Sequence, residues 1–68
     1  MKLEVGYVAD TWGTVEAQGD SLKCEGPRAG AIRSMVAEHQ RRHPGVSGEQ
    51  LLAIILDSPK SYVWARQV

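Results

Sequence analysis

Apolar and polar positions alternate at the start of the chain, where Leu3, Val5 and Tyr7 are interleaved with Lys2, Glu4 and Gly6. Period two is the signature of a strand with one buried face. Asp10-Thr11 then reads as a turn and Gly13 as the mark of a bulge. Further on, Val15 and Ala17 alternate with Thr14 and Glu16. Gln18-Gly19-Asp20-Ser21 has turn chemistry, and Leu22 and Cys24 alternate with Lys23 and Glu25. A two-residue loop at Gly19-Asp20 sets Ala17 opposite Leu22 and Val15 opposite Cys24. All four apolar side chains then share one face. A slip of one residue would move them all to the other, so turn and pattern specify the same register.

After Gly26-Pro27 the period changes. Glycine is tolerated at a helix N-cap, and proline suits the first helical position because the N–H it lacks has no partner there. Ala29, Ile32, Met35, Val36 and His39 follow at helical spacing, with Arg28, Arg33, Glu38, Arg41 and Arg42 mostly off that stripe. Glu38 and Arg42 are four apart in the favourable order, worth a few tenths of a kcal/mol. Arg41, Arg42 and His43 put positive charge at the negative end of the helix dipole, and His43-Pro44-Gly45 stops the helix. A second helix opens with Ser47 as N-cap and Gln50 three residues on, a capping box, with Val46 and Leu51 spaced as a hydrophobic staple. The run Leu51 to Leu56 is apolar all round, and Asp57-Ser58-Pro59 ends it. Tyr62-Val63-Trp64-Ala65 reads as a last strand that returns beside the N-terminal part, with Trp64 filling the core. The order β-β-β-α-α-β predicts an α+β, two-layer single domain over residues 1–68: an antiparallel sheet with both helices on one face.

Size changes the picture. A chain of 68 residues buries only about 60% of the surface its unfolded form exposes, so small domains usually add a disulfide, a metal or a subunit. The single cysteine, Cys24, excludes an internal disulfide, and the ligands for a zinc-finger framework are missing. The expected addition is a second subunit or a protein partner. The surface expected to meet it is the over-oily second helix, at Leu52, Ile55 and Leu56, with Trp12 and Tyr62 as anchors. Trp12 is expected on the opposite pleat from Val15 and Ala17. At 43% hydrophobic and 24% charged residues the composition is that of a folded domain. No apolar run approaches the roughly 20 residues of a membrane span. Glu4 interrupts what a signal peptide would keep apolar. The expected location is the cytoplasm, with the thiol reduced.

Charge is balanced in sum but not in position. Residues 1–26 hold two lysines against five acidic residues, a net −3, and residues 27–43 hold four arginines against Glu38, a net +3. Arg28, Arg33, Arg41 and Arg42 therefore form the alternative site, a basic helix lying along nucleic-acid phosphates in a salt-sensitive, sequence-blind way. The second helix offers no polar side chains for base edges, which argues against a helix-turn-helix reader. His39 and His43 have the i, i+4 spacing of a zinc pair, but Gln40 stands where the catalytic glutamate would be and two arginines lie between them. Cys24 on an apolar strand face reads as a small hydrophobe rather than a nucleophile. No base, nucleophile and orienting group occur together, so the expectation is a protein that is not an enzyme and uses no cofactor and no metal.

The segment Leu22 to Arg28 with Gly26-Pro27, the helix start Ser47 to Leu52 and the closing Tyr62-Val63-Trp64-Ala65 resemble small proteins of actinobacterial phages. The resemblance implies a phage or mobile-element origin and a role as a virion or host-interaction part, and it carries over no active site. Residues and resemblance together predict a small interaction module that self-associates or acts as an adaptor.

Overall fold

The alternating first third of the chain forms three strands, β1 (Lys2–Tyr7), β2 (Asp10–Gln18) and β3 (Ser21–Glu25), in a computed structural model that describes residues 1–57 and 63–68. Helices α1 (Ala29–Arg42) and α2 (Gly48–Asp57) follow, and β4 (Val63–Gln67) closes the sheet. The order across the sheet is β3-β2-β1-β4, with every neighbouring pair antiparallel. Cys24 lies opposite Val15 and Leu22 opposite Ala17, and Gln18 and Ser21 close the Gly19-Asp20 turn. The Ser21 hydroxyl donates to the Gln18 carbonyl at 3.0 Å, which fixes that turn further. No helix among the described residues is long and apolar enough to cross a membrane.

One face of the sheet carries the core. Leu3 and Val5 of β1 and Val15 of β2 meet Ile32 and Val36 of α1 and Leu51, Leu52 and Ile55 of α2. The contacts place both helices on the same face. The α1 stripe is completed by His39, which is buried, and by Met35, which packs against the core from its margin. Arg42 donates to Glu38 at 2.7 Å, as the i, i+4 spacing requires. At the start of α2 the Gln50 N–H donates to the Ser47 hydroxyl at 3.2 Å and the Ser47 N–H donates back to the Gln50 side chain at 3.0 Å, a complete capping box. Val46, beside that cap, is 36% exposed.

The structure departs from the sequence reading at four places. The first turn is Val8-Ala9, with Tyr7 paired to Asp10, so β2 begins where the turn was expected. Within β2 the register runs Val5 to Gly13 and then Gly6 to Thr11. Trp12 is thus an extra residue, and the bulge rotates its side chain onto the helix side, against the core. Trp64 lies on the other face. Val63 and Ala65 pack against the core, while Trp64 pairs with Gly6, and a Cβ at Gly6 would collide with the indole. Finally, α1 starts at Ala29 with Arg28 in the N-cap position, not at Gly26-Pro27. Gly26 is occupied elsewhere: at φ +128° it packs backbone to backbone on Gly13, at φ +137°, as the chain leaves the sheet. The Arg28 N–H then donates to the Trp12 carbonyl at 3.0 Å, which ties the helix start to the bulge.

A domain of this length has about 3–10 kcal/mol of stability in total. Leu52, fully buried, should cost about 2–5 kcal/mol when replaced by alanine. Ile54 on the outer side of the same helix should cost about 1 kcal/mol. Urea unfolding followed by circular dichroism measures both, and equal losses would contradict the burial pattern.

Candidate functional site

The bulge in β2 aims Trp12 toward α1. Its indole stacks on the Tyr7 ring with centroids 6.2 Å apart and planes 2° from parallel. Beside this pair opens a cleft of about 360 Å³. Among the described residues Trp12 and Val63 form its sheet side, and Ala31, Ser34, Met35, Glu38 and His39 of α1 form the other. The spacing of the α1 residues puts them on one helical face. Glu38 is already neutralised at the rim by Arg42. His39 is only 4% exposed, and its Nδ1 lies 2.9 Å from the Met35 carbonyl one turn back. A carbonyl oxygen only accepts, so Nδ1 carries the hydrogen and donates. Nε2 has no hydrogen-bond partner, yet no sealed side-chain nitrogen or oxygen among the described residues is unsatisfied. Nε2 therefore keeps some accessible surface, and His39 is one of the residues that line the cleft.

The hairpin tip next to the cleft is apolar and strained. Tyr7 is 43% exposed and Val8 59%. Val8 has φ +54°, a backbone region that β-branched residues avoid, at a cost of about 1–3 kcal/mol. The conformation is held from the far side of the sheet, where Trp64 Nε1–H donates to the Val8 carbonyl at 2.8 Å. Trp64 acts as a clamp on the turn rather than as core filling.

The residues singled out from sequence are distributed differently from expectation. Trp12 is at the site. Leu52 and Ile55 are inside the single-chain core, because α2 turns both toward Leu3, Val5 and Val15, and only Leu56 keeps a partly exposed side chain packed on the core margin. Leu52 and Ile55 are therefore not available as surface anchors. Tyr62 lies outside the described residues. All four arginines are exposed, but Arg28 faces Asp10 at 3.9 Å and Arg42 is paired with Glu38. Arg33 and Arg42, nine residues apart, point roughly 180° away from each other on the helix. The four do not form one basic stripe. His39 and His43 also part: His39 turns inward, and exposed His43 ends α1 with its backbone N–H donating to the His39 carbonyl at 2.9 Å. Cys24 is half-buried on the core side of β3, and burial pushes its thiol pKa up while Arg33 pulls it down. Tyr7 and Val8 were not identified from sequence as parts of a site, and His39 was weighed there only as half of a zinc pair with His43. The one available signal was Tyr7-Val8 running on past the strand pattern without a turn residue.

Comparison with protein-family models, with curated proteins and with solved structures returns no match.

Two outcomes follow from this geometry. Val8→Gly relieves the positive φ and, after glycine's own entropy cost, should stabilise the fold by about 1 kcal/mol. A thermal melt should then rise by about 4–8 °C. The Cys24 thiolate is the reactive form, so its raised pKa should make alkylation by iodoacetamide at neutral pH slower than that of a free cysteine. Arg33→Gln removes the opposing influence and should slow the reaction further.

Proposed function

We propose that this chain is a non-enzymatic protein-interaction module that docks a partner on the Tyr7–Val8 hairpin tip and in the cleft beside Trp12. The observation that carries the reading is the apolar, strained turn kept at the surface next to an open apolar cleft. A glycine at position 8 would serve the fold better, and a polar side chain there would serve solubility better. Contiguous exposed apolar surface of this kind marks interaction sites, and tryptophan and tyrosine are the side chains that most often anchor them.

Self-association remains part of the proposal, with the tip and cleft as its seat in place of Leu52 and Ile55. The remaining apolar exposure of α2 is confined to its outer side, so α2 supplies at most a margin. The resemblance to actinobacterial phage proteins adds the expectation that a different partner would be a virion or host protein. The spread and pairing of the arginines favour no nucleic-acid partner.

Selection of a displayed random-peptide library on the immobilised protein tests the reading. Peptides with an aromatic or large apolar anchor should be enriched, and Trp12→Ala should weaken their binding by about 30-fold. Sedimentation of the free chain, run beside it, should give a mass that rises with concentration if a second copy is the partner, and Trp12→Ala should return it to 7.5 kDa. No enrichment together with a strict monomer, or binding indifferent to Trp12, would overturn the proposal.

A further inference from the structure

We infer that the cleft receives the phenol ring of a tyrosine from the docking partner, with its hydroxyl donating a hydrogen bond to Nε2 of His39. The inference rests on the docking reading and adds the chemistry that the cleft selects. Four observations carry it. The first is size: about 360 Å³ is near the lower end of the roughly 300–1,000 Å³ of ligand sites and well above the roughly 150 Å³ that holds a benzene, so a ring-bearing side chain enters with room for its stem. The second is the wall. The Trp12 indole offers a flat face and the Met35 thioether a soft, polarisable one, both suited to an aromatic ring.

The third observation is the histidine. It is more than nine-tenths buried, its Nδ1–H is committed to the Met35 carbonyl, and Nε2 is left without a partner on a residue that lines the cleft. In the neutral ring Nε2 is an acceptor, so the matching group is a donor carried on an apolar body. A phenylalanine ring would fill the space but cover Nε2 with hydrocarbon and leave it unsatisfied. The fourth observation is the rim charge. Glu38 is paired with Arg42 at 2.7 Å, so a partner lysine would meet a carboxylate already neutralised and a neighbouring guanidinium. A partner carboxylate would point lone pairs at the lone pair of Nε2. Two neutral, ring-borne donors remain, the tyrosine hydroxyl and the tryptophan N–H, and only the hydroxyl stands at the leading tip of its ring, where it meets a histidine this deeply buried.

The test is a nitrogen-15 chemical-shift titration of the full chain with three probes: 4-methylphenol, toluene and 3-methylindole. The expected result is that 4-methylphenol moves the Trp12 indole and His39 ring signals together and binds about tenfold more tightly than toluene. It should also bind more tightly than 3-methylindole. In His39→Asn the side-chain amide stands at the place of Nδ1 and keeps the bond to Met35, while the acceptor at Nε2 is gone. The advantage of 4-methylphenol over toluene should vanish in that variant. Equal binding of 4-methylphenol and toluene to the unaltered protein would overturn the inference and leave the docking reading standing. So would preference for 3-methylindole. Absence of any shift at Trp12 and His39 would also overturn it, and the peptide selection then judges the docking reading on its own. The comparison on the unaltered protein requires no variant to fold.

Discussion

A single sheet face shelters the entire core, and that constraint governs the rest of the molecule. Among the described residues three apolar side chains from the sheet and five from the helices are buried, and α2 alone contributes Leu51, Leu52 and Ile55. With so few large side chains, none of the three can be withheld for an outside partner. An apolar stretch that looks excessive for a small domain is the amount needed to bridge β1, β2 and β4 at once. Apolar burial is worth roughly 25 cal/mol per Å² wherever it occurs, and the interior of the chain claims it first.

What is left for function lies where the sheet pattern is broken. One inserted residue in β2 moves Trp12 from the solvent pleat to the helix side. The bulge also bends the strand, and the backbone approach of Gly13 and Gly26 fits the chain into that bend before α1 begins. Because the Arg28 N–H bonds to the Trp12 carbonyl, the position of α1 and the position of the indole are set together. The cleft between them is a consequence of that coupling, and the His39 ring on its wall is fixed by the turn of α1 that holds Nδ1.

The opposite face of the sheet holds the turn in place. Glu4 of β1 accepts from Arg66 of β4 at 2.6 Å, and next to it Trp64 lies over Gly6 and reaches the Val8 carbonyl. The last strand therefore does more than complete the sheet: it keeps a β-branched residue at positive φ. Strain of this sort persists only where surrounding contacts over-determine it. Here the contacts come from a residue 56 positions away in the chain.

The sequence by itself determined what depends on near neighbours. Period two and a Gly-Asp turn set the β2–β3 register, the Ser47–Gln50 pair set the start of α2, and helical spacing chose the buried stripe of α1 and the Glu38–Arg42 pair. Each is decided within about one turn or one hairpin, where local geometry leaves few alternatives. The candidate site was legible only through Trp12, and then on the wrong pleat. The tertiary structure alone decided the faces of Trp12 and Trp64, the Val8-Ala9 turn, the late start of α1 and the burial of Leu52 and Ile55. Leu52 and Ile55 are buried because the one core face needs them, and for the two tryptophans the reason lies in the pleat. In a sheet, one residue more or less between two pairings reverses the side to which a side chain points, and the choice is made by what waits on each side.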